Sequence, residues 1–526
     1  MNKESSFLAT WLTPLIIITL ITAFFSFFTF IIDYYLSQNS LHFTIFSQNA
    51  DQILSALSSS NEVIAAVLAI IITVVAIIVE LAATRYSSRI IDLFIADRIN
   101  FSIISFFIIL NIHSLWLYFF AGYGLNLSCS ALLNTIGLTL GFIVIIPYFG
   151  YIFQFLKPES VINKIRQISI HQLSSLANSS NCSKSQIDNI KKQTMLAIEQ
   201  INDIALNSIE SSDTSLGIQC ISALKEMVLY FLTIKHKLPD YFFQISPYEA
   251  QKTDFIALSE SNRQKIITQR IILENKVFKH YNILFHRCVT QNRDVNYMIA
   301  MSLRFIAEKA VECEDPYTIH LCIKYFNTLL RNSFNSRDIR TPYNLFFQYK
   351  KLAVYLLSTT KAYYVKEIAK YFKYYGILFY QQKIGFILET AAHDFSDICV
   401  EAERLNSPLC DDLLTLFLTI DQPQESGEED KSLRGVRKAQ IKLGTFYLSI
   451  NNQAKAQLIA KDMMDEPYSR IQAICQELDT IQEDFWEIID RGSNFDFIPH
   501  EWRNYLTPFF DIFSQLYQSR NEKDHL

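Results

Sequence analysis

Turn formers are scarce in this chain: 526 residues include only 12 glycines and 12 prolines. Sheet-rich and disordered chains use more of both, so a helical protein is expected. Strand-like alternation of apolar and polar residues is nearly absent as well. Charge is sparse, at 19% of residues with a formal net charge of −5. Neither a long Lys/Arg run nor an aromatic-basic platform occurs, which excludes nucleic acid as an expected partner. The nine cysteines, at 129, 182, 220, 288, 313, 322, 399, 410 and 475, include no CxxC pair and no regular spacing. A disulfide framework is therefore not expected, and reduced, buried thiols are.

Catalytic and phosphate-binding signatures are missing too. No GxxxxGKS/T, GxGxxG, HExxH or GxSxG is found, so a phosphate cradle, a zincin site and a nucleophile elbow have no sequence support. Two loose groupings, His286 with Cys288 and Cys313 with His320 and Cys322, lack the paired ligands of structural zinc sites. The expectation is no metal, no cofactor, no catalytic residue and no enzyme.

Long hydrophobic runs are what the chain does have. Half of its residues are hydrophobic, and four stretches, about 9–32, 62–84, 101–121 and 131–156, reach the length needed to span a hydrocarbon core. The first is too long, and too poor in small residues at its end, for a cleaved signal peptide. Residues 33–61 and 122–130 hold no Lys or Arg, whereas Arg85, Arg89 and Arg98 lie between the second and third spans, and Lys157, Lys164 and Arg166 follow the fourth. The positive-inside rule then puts both termini in the cytoplasm. A transmembrane domain over 1–156, in contact with the lipid bilayer, is expected.

Within the second span, Ala65, Ala69, Thr73, Ala76, Glu80, Ala83 and Ser87 recur every three or four residues. Such a stripe of small and polar side chains lets helices approach closely where lipid offers no hydrophobic drive. One reading is tight helix packing with Glu80 capped by a neighbour. Another is an aqueous path lined by Thr73, Ala76 and Ser87, with an acidic ring at Glu80. A third lets Glu80 snorkel to the inner surface, five residues before Arg85. The third span carries its own polar face of Asn111, Ser114 and Tyr118, with His113 beside it, suited to an interhelical hydrogen-bond seam or to a proton relay. His113 and Glu80 lie at different depths, which argues against their pairing.

After residue 157 the chain alternates helix-length periodic segments with short polar breaks, about fourteen of them by position, one being a long stretch over 259–290. The break at 421–432 suggests a boundary between a helical domain at 157–420 and a C-terminal subdomain at 433–526. Residues 204–221 and 306–323 align without gaps and share six of eighteen positions. Both read as helix, short turn, then an aspartate, Asp213 or Asp315, capping the next helix, with Pro316 at a first helical position. Duplicated helical hairpins build surfaces for partners, so a cytoplasmic protein partner is possible.

"ITVVAIIVELAATRYSSRIIDLFIADR" and, far downstream, "LRFIAEKAVECEDPYT" together resemble a bacterial family of integral membrane proteins known as domain of unknown function two-two-five-four. The family-like motif of the soluble part falls on Asp315, Pro316, Tyr317 and Thr318. Glu80 stands where that family usually has Gln, and Ser88 where it has Pro. The resemblance implies four spans in a bacterial inner membrane with a soluble helical domain, and no established activity.

The expected architecture is all-α: a four-span bundle followed by a large cytoplasmic domain of helical hairpins, in a homo-oligomer packed through the second span. The expected function is an ion channel or conducting pore; the alternative is a membrane-anchored interaction or signalling scaffold without transport activity.

Overall fold

The structure is a computed structural model that describes residues 3–38, 50–85, 97–121, 127–155, 157–179, 182–246, 250–251, 255–256, 258–289, 292–421, 433–483, 491–492 and 494–524. Every regular element among the described residues is a helix. Contacts divide the chain into two compact units, Met1–Lys164 and Ile165–Leu526.

The first unit contains α1 (Lys3–Gln38), α2 (Ala50–Arg85), α3 (Arg98–Ala121) and α4 (Ser128–Phe155). Hydrocarbon offers a peptide group no water, so a helix, which pairs its backbone internally, is the natural way for such segments to cross. Segments 16–36, 54–81, 99–121 and 129–154 are long and apolar enough to do so, and they overlap the four expected spans. A fifth segment, 214–237, also passes on length and hydropathy, but 56% of it is buried by protein, against 22 to 28% of the others. It is a core helix of the second unit, as its place in the sequence pattern suggests.

α2 packs on its neighbours through Leu57, Ile64, Ile71 and Ile78, all buried at a strict seven-residue spacing. α4 offers α3 a groove of small residues. A Cβ on Gly137 would lie 2.7 Å from Leu110 Cδ1, and one on Gly141 would lie 3.0 Å from the Phe107 ring. This glycine pair four apart is a small-residue motif of the kind that draws spanning helices together.

The second unit follows from α5 (Pro158–Asn178), α6 (Lys184–Glu210), α7 (Thr214–Ile234) and the short α8 (Asp240–Phe243). Next come α9 (Glu260–Thr268), α10 (Ile272–Cys288), α11 (Arg293–Glu312), α12 (Pro316–Asn335), α13 (Arg340–Leu357), α14 (Tyr363–Gln381), α15 (Gly385–Arg404) and α16 (Cys410–Leu418). α17 (Arg434–Ser449), α18 (Gln453–Asp462), α19 (Tyr468–Thr480), α20 (His500–Arg503) and α21 (Leu506–Asp524) complete it. Neighbouring helices pack pairwise around a continuous core in which Phe231, Phe278, Phe326, Phe346 and Tyr349 are fully buried.

The two sequence repeats fold alike. α6 and α7 are joined by Ser211, Ser212 and Asp213; α11 and α12 are joined by Cys313, Glu314 and Asp315. Ser212 and Glu314 both take positive φ, 61° and 54°, and Asp213 and Asp315 each cap the next helix by accepting the N–H three residues on, at 3.1 Å. In each turn the aspartate N–H donates back to a carbonyl five residues earlier, Ser208 or Ala310, at 2.8 Å. The turn between α17 and α18 has the same form, with Asn451 at φ 60°, Asn452 as the cap, and its N–H 2.8 Å from the Tyr447 carbonyl. This third turn does not align with the other two in sequence, because the geometry needs only a helix C-terminus, a left-handed residue and a short polar cap.

Two expectations are corrected. The periodic stretch 259–290 is two helices, α9 and α10, broken at Arg270, whose φ is 54°. Its guanidinium reaches Asp240 and the Leu238 carbonyl and lies over the Phe243 ring at 4.7 Å, a tertiary tie with no local signature. The proposed boundary at 421–432 does not separate two bodies: 165–526 is a single unit in which α15 packs along α17. Residues 422–432 themselves lie outside the described residues.

One glycine shows how tightly the C-terminal helices meet. A Cβ on Gly444 of α17 would lie 2.2 Å from Phe509 of α21, whose ring is fully buried. Gly444→Ala is expected to lower stability by about 1–3 kcal/mol, the usual cost of overpacking, measured as a fall in the melting temperature of the purified protein.

Candidate functional site

In the membrane unit, polar side chains point inward from three helices. Thr22, Ser26, Thr29 and Asp33 of α1 are all buried, at helical spacing. The Ser26 hydroxyl lies 3.0 Å from His113 Nδ1, and Phe25 meets the imidazole edge-on with centroids 4.8 Å apart. Asn134 of α4 donates to Ser114 Oγ at 3.0 Å and to Ser60 Oγ at 3.2 Å, joining three helices through one amide. Asp33 caps α4 from across the bundle: its carboxylate accepts from Cys129 N–H at 2.8 Å, from Ser130 N–H at 3.1 Å and from the Ser130 hydroxyl. An acid at the start of a helix is favoured by the unpaired N–H groups there, and more so away from water.

The expected polar face of α3 is therefore only half realised. His113 and Ser114 are fully buried and bonded into the seam, Asn111 is partly exposed, and Tyr118 sits on the exposed side next to Trp116. The packed face runs through Leu110, His113, Ser114, Leu117 and Ala121, so Tyr118 falls one residue past it. The buried acid Asp33 and the bridge through Asn134 were not anticipated. A Thr/Ser/Asp residue at 22, 26, 29 and 33, every three or four positions in the first span, is the signal that marks that seam.

The α2 stripe points the other way. Ala65, Ala69, Thr73, Ala76 and Glu80 are all exposed, centred roughly 150° around the helix from the Leu57–Ile78 seam. Exposed Ile70, Ile72, Ile77 and Leu81 flank them. The Thr73 hydroxyl is satisfied within the helix, donating to the Ala69 carbonyl at 2.8 Å. Arg85 ends α2 and Arg98 begins α3. Ser87 and Arg89 lie outside the described residues.

The motif at 315–318 is the heart of a buried ionic network. Asp315 accepts from Thr318 N–H at 3.1 Å and from its hydroxyl at 2.8 Å, while Tyr364 donates to the Pro316 carbonyl at 3.1 Å. Tyr317 is exposed. Lys235, just past α7, donates to Asp315 Oδ2 at 2.6 Å and to Glu274 Oε1 at 2.7 Å. Glu274 is wholly buried, and burial pushes its carboxyl up against the pull of Lys235. Burial opposes the Lys235 charge as well, yet Glu274 and Asp315 together hold its value above normal. The network joins α7, α10 and α12 through one ammonium shared by two acids, with Glu274 Oε2 left without a partner.

The loose Cys/His groupings do not assemble. Cys322 and Cys288 are buried, His320 faces Glu367 at 3.7 Å, and all nine cysteines are unpaired. Burial pushes the thiols of Cys288 and Cys475 up to about 12, which suits packing and not reactivity.

Folding instead gathers Glu389, His393 and Asp496. One ligand-capable atom of each lies within 4.8 Å of the others. Glu389 and His393 are four residues apart on α15 and so share a face. His393 is buried, stacked on Phe495 with centroids 4.7 Å apart and planes 3° from parallel, and its Nε2 has no hydrogen-bond partner. Burial, with Lys442, Lys438, Lys350 and Arg491 nearby, keeps the imidazole well below its usual range and hence neutral. The Glu389/His393 spacing was readable in the sequence; Asp496, over a hundred residues on, was not.

Together, the spans and the large helical unit define an all-helical, multi-span membrane protein. Residues 8–197 match the model of a family described as Predicted membrane protein (DUF2254), the family that the second-span segment resembles. That match covers all four spans, and the motif at 315–318 falls outside it. No curated protein matches the chain. A solved structure titled "Circular tandem repeat protein with novel repeat topology and enhanced subunit contact surfaces" aligns over 90% of this chain and 98% of its own, at 10% identity and a TM-score of 0.34. That score is too low to establish a shared fold.

The ionic network yields a sharp expectation. Lys235→Met leaves Glu274 buried without its counter-ion, and a loss of about 3–5 kcal/mol is expected. Without Lys235 the Glu274 carboxyl holds its proton more tightly in the folded chain than in the unfolded one, so stability falls as pH rises above the ordinary carboxyl range. Melting curves at about pH 5 and about pH 8 should show the deficit against wild type widening at the higher pH.

Proposed function

We propose that this chain forms a homo-oligomeric, cation-conducting protein of a bacterial inner membrane, with both termini cytoplasmic and copies of α2 facing a shared path. The observation that supports this is the direction of the Ala65–Glu80 stripe, which turns away from the packed side of its own bundle. A carboxylate facing hydrocarbon costs about 2.5–3.5 kcal/mol near a helix centre, so a face bearing Glu80 favours a neighbouring copy or water over lipid. Small residues at 65, 69 and 76 permit close approach of such copies. In this arrangement Glu80 forms an acidic constriction toward the inner end, Thr73 and Ala76 form walls above it, and Arg85, Arg89 and Arg98 hold the cytoplasmic interface. The reading assigns no catalytic step.

A second reading, a membrane-anchored scaffold that captures a cytoplasmic partner, draws on the helical-hairpin build of residues 165–526, with its recurring turn at 211–213, 313–315 and 450–452. Under that reading, the spans anchor and dimerise only.

Flux separates the two. Purified protein in liposomes is expected to conduct small cations, and Glu80→Gln should cut cation over anion selectivity several-fold while leaving the oligomer intact by size-exclusion chromatography with light scattering. Absent flux, or selectivity unchanged in Glu80→Gln, defeats the conduction reading and leaves the scaffold.

A further inference from the structure

We propose that Glu389, His393 and Asp496 form a binding site for a single first-row divalent cation of the zinc type. The site belongs to the second unit and stands independently of any conduction through the spans.

Two of its three members have unused donors. Among the described residues the Glu389 carboxylate has no hydrogen-bond or ion-pair partner, although the side chain is mostly shielded from solvent. His393 is 4% exposed and its Nε2 is orphaned. A buried nitrogen left without a partner costs about 1–3 kcal/mol, and a ligand is one way to recover it. The third member is half engaged: Asp496 Oδ2 accepts from Lys438 at 2.6 Å, and Lys438 also holds Glu477 at 2.8 Å. Lys438 thereby orients Asp496 and leaves its second oxygen for an ion, the way outer partners steer metal ligands.

The surroundings also define the ligand set. Asp394, the next residue after His393, is fully buried but spoken for: Arg491 Nη1 lies 2.9 Å from both of its oxygens and Lys350 lies 3.0 Å from one. It is not available to a cation. The Glu389 carboxylate, by contrast, sits in a recess that only a glycine at 435 leaves open, since a Cβ there would lie 2.2 Å from Glu389 Cδ. Phe495 fixes the plane of the imidazole. Burial and the nearby Asp496 push the Glu389 carboxyl up, against the pull of Lys438.

The donors are one imidazole nitrogen and two carboxylate oxygens, a mixed set that a borderline ion such as Zn2+ accepts and that leaves a fourth position for water. Glu389 and Asp496 both keep some solvent exposure, so an ion has a way in. Bound there, it ties the segment around 494–496 to α15 and stabilises the folded unit by mass action.

Zn2+ binding to the full chain in lipid nanodiscs, read by competition with a chromophoric chelator, tests this. The expected result is one ion per chain at this site, with Glu389→Gln, His393→Phe and Gly435→Ala each weakening it by about 10-fold or more. His393→Phe keeps the ring stack and removes an orphaned nitrogen, so it should melt at or above the wild-type temperature without metal, and weaker binding in it reads the site and not the fold. Co2+ in place of Zn2+ should give d–d bands without thiolate charge transfer. Wild-type affinity in the variants, a thiolate band that marks binding at cysteines, or no Zn2+ binding by the wild type would each overturn the assignment.

Discussion

A polar group moved from water into hydrocarbon or a protein core must find new hydrogen bonds, and this requirement organises both units. In the membrane part it turns the backbone into four long helices and sends polar side chains inward. Asp33 is placed where the free N–H groups at the start of α4 can hold it, Ser26 meets Nδ1 of His113, and Ser114 and Ser60 accept from the Asn134 amide nitrogen. Each of these bonds is worth about 1 kcal/mol or less between spanning helices, but each also fixes which faces meet. α2 takes a different course over its second half, with the aliphatic Ile64, Ile71 and Ile78 inside and the Ala65–Glu80 stripe outside, while Ser60 near its start reaches Asn134.

The second unit meets the same requirement with charges. Glu274 and Asp394 are fully buried acids, and each is held by cations from elsewhere in the chain: Lys235 in the first case, Arg491 and Lys350 in the second. Removing a buried pair for apolar residues can be neutral, whereas removing one partner is costly, so such pairs bind helices from distant parts of the chain into one register. Turns of one form, at 211–213, 313–315, 336–338 and 450–452, set the local geometry; the ionic contacts set which hairpins stand side by side.

Much of this was legible along the chain. Spans, helix positions and the capping roles of Asp213 and Asp315 depend on periodicity and on residues within a few positions of one another, which a sequence displays directly. The break at Arg270 was hidden because its cause, Asp240 and Phe243, lies thirty residues away. Tyr118 was misplaced because a polar residue near a polar stripe is not thereby on the packed face, and a shift of one residue turns a side chain by about 100°. The turn at 450–452 carries no matching sequence because its geometry tolerates Asn451 and Asn452 in place of the Ser/Asp and Glu/Asp pairs.

The sequence by itself determined the all-helical class, the apolar spans near the N-terminus and the small and polar stripe on α2, since each follows from composition or from spacing below about a dozen residues. Only the tertiary structure decided which way that stripe faces, that 165–526 is one compact unit, and that Asp496 joins Glu389 and His393. Those outcomes rest on contacts between segments as much as a hundred residues or more apart. Such contacts are selected by the fit of whole helix faces, which no local pattern encodes.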